Sequence, residues 1–135
     1  MTASFLFPFH VCFADTDSGG VVYHSRYLEF AERARAAMLH THGLSNTALS
    51  QQGIVFAVQD CHVHYHKPAR LDDILSIQTL PQSIKGARFT LTQKIWREDT
   101  LLVTLHLTLA CLNDKGKPIR IPQNVLDAFT GYIAQ

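Results

Sequence analysis

Asp15-Thr16-Asp17-Ser18-Gly19-Gly20 places two carboxylates and two glycines within six residues. A carboxylate in such a loop can attack an electrophilic carbon directly or draw a proton from water. Gly19 and Gly20 let the main chain approach a bound molecule closely and take dihedrals closed to other residues. Shortly afterwards Tyr27, Phe30, Ala31, Ala34 and Met38 recur at helical spacing, so the loop opens into a helix. The first turn of a helix offers unpaired N–H groups at the positive end of its dipole. Such donors can polarise a carbonyl and hold the oxyanion formed when it is attacked. Loop aspartates also serve as turn or capping residues, and the pattern alone leaves open whether Asp15 or Asp17 does chemistry. His24 can orient water or protonate a leaving group, or simply cap the helix; Tyr23 reads as a pocket wall.

A second set of chemically capable residues alternates along one run. Asp60, His62, His64 and His66 interleave with Cys61, Val63 and Tyr65, which on a strand puts the histidines on one face. Two histidines two apart on a strand can chelate a metal. A hydrated or subunit-facing polar strip is the simpler expectation, and neither a metal nor another cofactor is expected. Cys12, Cys61 and Cys111 each sit in an apolar-patterned run, where a cysteine behaves as a small buried hydrophobe. Their odd number and scatter argue against a disulfide framework and for a reducing compartment. No Gly-x-Ser-x-Gly elbow, phosphate-binding glycine loop or dinucleotide fingerprint occurs.

The elements that would position these groups follow from periodicity. Phe5, Phe7, Phe9, Val11 and Phe13 alternate as a strand with one buried face, and Pro8 assigns that strand to an edge. The helix is expected from about Ser25 to His42, with Gly43 as a left-handed cap. Residues 45–52 suggest a short second helix capped by Ser45 and stopped by Gly53. Strands are then expected over 54–66, 73–80, 87–96 and 100–112. Pro68-Ala69-Arg70, Ser83-Ile84-Lys85-Gly86 and Glu98-Asp99 are the connections, and a C-terminal helix runs over 123–133. Connections this short imply a mainly antiparallel sheet, and one long apolar helix must be wrapped by it. The expectation is an α+β fold of about five strands around one central helix, a single domain over residues 1–135.

Composition is consistent with that. Hydrophobic residues make up 47% and charged residues 17% of the 135, a globular balance. The net charge of +1 gives no broad field for nucleic acid or an anionic membrane. The longest apolar run, Leu101 to Leu112, is too short to span a bilayer. The N-terminal residues lack the basic region of a signal peptide, so a cytoplasmic location is expected.

The segment from Phe13 through Asp15, Asp17, Gly19, Gly20, Val21, Tyr23 and His24 to Leu28 resembles the signature of the 4-hydroxybenzoyl-CoA thioesterase family of hotdog-fold enzymes. Tyr65-His66-Lys67-Pro68-Ala69-Arg70-Leu71-Asp72-Asp73 resembles a second block of its branch of Tol-Pal-associated acyl-CoA thioesterases. The resemblance covers about residues 5–131. It implies a hotdog fold, hydrolysis of an acyl-CoA to carboxylic acid and free CoA, and Asp17 as nucleophile or general base. It places a carbonyl-polarising N–H near His24, and the substrate against Gly19, Gly20, Val21 and Tyr23. Lys67, Arg70, Lys85 and Arg88 are the cations available for CoA phosphates. The substrate is expected to be a short-chain aliphatic or aromatic acyl-CoA. The rivals are an aryl-CoA thioesterase of the hydroxybenzoyl type and a non-catalytic hotdog assembly or binding module. The family implies a homo-oligomer, a dimer at least and a tetramer by resemblance, with the pocket between chains. Close members often carry tyrosine where this chain has Phe13, so a phenol hydroxyl is missing at that point.

Overall fold

Alternating apolar residues produce five strands here, and one wide apolar helical stripe lies across them. The structure, a computed structural model, describes residues 4–132. In chain order it runs β1 (Phe5–His10), α1 (Arg26–Thr41), α2 (Asn46–Gln51), β2 (Val55–Tyr65), β3 (Ile74–Lys85), β4 (Arg88–Arg97), β5 (Thr100–Leu112) and α3 (Gln123–Thr130). All strands pair antiparallel in the order β1-β3-β4-β5-β2, so β1 and β2 are the two edges. The sheet curls around α1 as the hotdog fold requires. The last helix, expected over 123–133, stops at Thr130, and residues 131–132 form a turn; position 133 lies outside the described residues.

Helix α1 is held by the stripe that its sequence announced. Tyr27, Phe30, Ala31, Ala34 and Met38 are buried in one cluster with Ile77, Leu91, Ile95 and Leu105 of the sheet. Phe30 meets Phe9 of β1 with ring centroids 4.1 Å apart. Gly43, at φ 72°, turns the chain out of the helix, and the Leu44 amide donates back to the Leu39 carbonyl. Ser45 caps α2 by accepting from the Ala48 amide at 3.1 Å.

A polar knot lies inside this apolar packing. Gln93 of β4 is fully buried and donates to the Ala31 carbonyl and the Thr79 hydroxyl, each at 3.0 Å. Its own oxygen accepts from Arg35 Nη1 at 3.0 Å, so the amide joins α1, β3 and β4. Burial without such partners would cost a few kcal/mol, about 1–3 for each unmet group.

Three expectations need correction. The alternation from Phe5 overshoots: β1 ends at His10, and Phe13 starts a short 3₁₀ turn with its ring 80% exposed. The cause is local, because Asp15 Oδ2 accepts from the Cys12 amide at 2.9 Å and closes that turn. Cys12 is therefore exposed rather than buried and Cys61 only half-buried, while Cys111 is buried as expected. Lastly, β3 does not stop at Leu80; a bulge between Pro81 and Ser83 accommodates the proline, and the strand continues to Lys85.

Candidate active site

The Asp17 loop is a small hairpin clamped to the helix start. The Asp17 amide donates to the Val21 carbonyl at 2.9 Å, Thr16 bridges Val22, and the Tyr23 amide donates to the Asp15 carbonyl at 3.0 Å. Gly20, at φ 78°, makes the turn at the tip. Asp17 Oδ1 accepts from the Gly19 amide at 2.8 Å, and a Cβ at position 19 would lie 3.2 Å from that oxygen. A side chain at position 19 would therefore crowd the carboxylate and require it to shift by a few tenths of an ångström. In the single chain Asp17 is solvent-exposed. Asp15 is committed elsewhere: it is half-buried, caps the 3₁₀ turn and lies 3.9 Å from Arg26, which also donates to the Ala14 carbonyl. Asp15 is a structural residue, and Asp17, bonded through its side chain to the Gly19 amide alone among the described residues, is the more open carboxylate.

The second conspicuous sequence block, residues 65–73, proves to be the other half of the clamp. The Val22 amide donates to the Ala69 carbonyl, and Val21 bridges Arg70. The Ala69 amide in turn donates to the buried Tyr27 hydroxyl at 3.0 Å, and burial pushes the Tyr27 phenol up. Tyr65, at the end of β2, donates its hydroxyl to the His24 carbonyl at 2.9 Å. This fixes the peptide just before α1. The His24 amide itself has no acceptor among the described residues. Tyr65 and Tyr27 carried no chemical pattern of their own; Tyr65 was visible only as part of the second block and Tyr27 only as part of the helical stripe.

Beneath this clamp sits an ion pair. Asp73 Oδ2 accepts from Arg97 Nη1 at 2.7 Å and from the Arg70 amide at 2.8 Å, while Arg97 also reaches the Pro68 carbonyl. Burial pushes the Asp73 carboxyl up, but the Arg70 amide and Arg97 guanidinium outweigh it and hold it below the ordinary value.

A loop of this construction ahead of a buried helix has counterparts. A family profile described as the thioesterase superfamily matches residues 19–104. The chain belongs to that superfamily. An acyl-CoA thioester hydrolase, YbgC, of Escherichia coli O157:H7 is 42% identical over 95% of this chain and 97% of its own. The acyl-CoA thioesterase YbgC of Haemophilus influenzae is 39% identical over 93% of each chain. Among solved structures, a probable thioesterase from Bartonella henselae superposes with a TM-score of 0.85 at 40% identity, covering 89% of this chain and all of that one. These relatives set the chain among the acyl-CoA thioester hydrolases of the superfamily.

Around the thioesterase loop the expected binding residues divide into two groups. Val22, His24, Tyr27, Tyr65, His66, Lys67 and Pro68 line an open cleft of about 290 Å³. Tyr23 is exposed beside it, its ring 4.4 Å from that of His24. Lys67 lies in the cleft wall and Arg70 is bridged to the Asp17 hairpin. Lys85 and Arg88 lie elsewhere. They pair at the β3–β4 turn, eleven residues along β3 from Ile74, roughly 36 Å at about 3.3 Å per residue. One chain does not bring all four cations together. A more enclosed cavity of about 220 Å³, lined by Arg35, Leu39, Phe56, Phe89 and Phe129, also lies away from the Asp17 hairpin. Among the described residues no helix is long and apolar enough to cross a membrane.

Proposed function

We propose that this protein hydrolyses short-chain aliphatic or aromatic acyl-CoA thioesters, with Asp17 as the reacting carboxylate and the His24 amide as a donor to the thioester oxygen. The reaction takes acyl-CoA and water to a carboxylic acid and free CoA. Asp17 either attacks the carbonyl carbon and forms an anhydride that water opens, or takes a proton from an attacking water. In both routes negative charge develops on the thioester oxygen, where an aimed amide is most effective. The His24 ring, beside the same cleft, is a group that can protonate the departing CoA thiolate. The observation that carries the reading is the backbone at His24: the Tyr23 carbonyl, in the same peptide unit as the His24 N–H, accepts from the Arg26 amide at 2.9 Å and the His24 carbonyl accepts from Tyr65, while the N–H itself has no acceptor among the described residues. Protein groups supply every step, so the reading calls for no cofactor, and it suits a cytoplasmic enzyme.

Asp17 is open to water in one chain, and a second chain would complete the site. β2 is an edge strand of 11 residues with no proline, and Val55, Val58 and Tyr65 are exposed along it. Antiparallel pairing of two such edges about a two-fold axis gives a continuous sheet and a dimer, from which a tetramer can be built. Arg88 lies opposite Ala110, which lies opposite Ala57 at the far end of β2. Pairing reverses the strand, so the partner subunit's Lys85 and Arg88 come to the end of the sheet that holds Asp17. The four cations then gather around one CoA.

The test measures free-thiol release from a panel of acetyl-, butyryl-, hexanoyl-, benzoyl- and 4-hydroxybenzoyl-CoA. Wild type should turn over at least one ester, and Asp17→Asn should lose at least about 100-fold in kcat. Release from no ester by wild type would leave the assembly-module reading in its place. Preference within the panel separates the aliphatic from the aryl-CoA reading.

A further inference from the structure

Of the histidine row along β2 and just past its end, His66 lines the thioester cleft, while His62 and His64 do not. His62 and His64 of β2 are both exposed, and their Nε2 atoms lie 3.0 Å apart. Their ring centroids are 4.7 Å apart and the ring planes are inclined by 47°. Two imidazoles joined head-on through a shared proton at that nitrogen separation would hold their centroids about 5.2 Å apart, by the geometry of a straight hydrogen bond. The rings are closer than this, so the pair is bent rather than head-on. An imidazole nitrogen sits about 1.1 Å from the ring centre. The ratio of the two separations therefore makes axes that meet do so about 2.0 Å beyond each nitrogen, the length of a metal–histidine bond.

We propose that His62 and His64 form a bidentate site for a divalent transition cation of the Cu(II) or Ni(II) type. The nitrogen separation fits that class. Arms of about 2.0–2.1 Å spanning 3.0 Å enclose roughly 90–100°, the angle between adjacent ligands of a tetragonal or octahedral ion, whereas a tetrahedral ion needs nearer 3.3 Å. The neighbours keep the pair available. His66 stacks on His64 at 6.1 Å, but its Nε2 bonds the Thr104 hydroxyl at 3.0 Å. His106, directly opposite His62, engages the Thr92 hydroxyl through Nδ1 at 3.2 Å. The remaining charged groups facing this strip are Asp60 on β2 and Lys94, which lies opposite Thr104 on β4. Among the described residues no group of three or more His, Cys, Asp or Glu is arranged around a metal, so water completes the coordination shell. The pair lines no part of the thioester cleft, and the ion links alternate residues of β2 across one face of the sheet.

The experiment uses the untagged full chain after chelator treatment. Isothermal titration with NiCl₂ should give one ion per chain, and the Cu(II) form should show electron paramagnetic resonance coupling to two nitrogens. His62→Gln and His64→Gln should each weaken Ni(II) binding at least about tenfold, while His66→Gln stays within about twofold of wild type. Ni(II) should also raise the Tm of wild type and not of His64→Gln. Absence of saturable binding, or equal binding by wild type, His62→Gln and His64→Gln, would show a hydrogen-bonded pair and nothing more, and would overturn the proposal. None of these readouts depends on thioester turnover.

Discussion

The two edges of the sheet are built to opposite specifications. β1 has six residues, carries Pro8 in the middle and faces its phenylalanines inward against α1. A short strand that lacks a donor is a poor template for a second chain. β2 has 11 residues, no proline, and exposed apolar side chains at Val55 and Val58. One edge discourages pairing and the other invites it. The inviting edge also ends at Tyr65, whose hydroxyl sets the His24 peptide. On the proposed reading, assembly and chemistry meet on the same strand, and an unprotected edge can be retained because pairing covers it.

That contrast can be broken by charge. Val58→Lys, at a site 47% exposed on β2, should convert a dimer to monomer in analytical ultracentrifugation and cut turnover at least about tenfold, because like charges meet across a two-fold axis. Leu6→Lys, at a site 58% exposed on β1, should change neither oligomeric state nor turnover. Equal responses at the two edges would erase the distinction. A smaller effect sharpens it: Tyr65→Phe removes the hydroxyl that holds the His24 carbonyl and keeps the ring. The expected result is a fall of about tenfold in kcat with KM and Tm little changed, since the loss is one of aim. A larger fall in Tm than in kcat would make Tyr65 a packing residue only.

The smallest effect lies beneath the clamp. Asp73→Asn should cost about 1–2 kcal/mol at neutral pH, read by urea denaturation, because it weakens charge-assisted bonds to Arg97 and the Arg70 amide. The Asp73 carboxyl is depressed in the folded chain below its ordinary 3.8, so its contribution is complete above that value. It is lost as pH falls through the lower folded value, where wild type and variant should converge. A gap between them that stays constant into strong acid would assign the cost to packing instead.

Much of this was legible in the residues and some could not be. The helical stripe of Phe30, Ala34 and Met38, the glycine stop at Gly43 and the strand run through Leu105 are local patterns, and each settled where periodicity put it. The Asp17 loop was equally visible because its glycines and carboxylates are adjacent in the chain. Periodicity failed at Phe13, where one Asp15 side-chain bond outweighed five alternating apolar residues. Contacts between distant residues were beyond reach: Tyr65 to His24 spans 41 positions and Gln93 to Ala31 spans 62. Nor do Lys85 and Arg88 reveal in sequence that they stand at the opposite end of the sheet from Arg70.

Gln93 has a consequence for anyone wishing to move this loop to another scaffold. Its amide grips the helix at Ala31, about one and a half turns past the first residue Arg26, and so sets the rotation of α1 about its own axis. Grafting residues 13–28 alone would leave the helix free to roll, swinging the His24 amide off target. A transplant needs the distant glutamine on its strand as the index mark against which the loop is dialled.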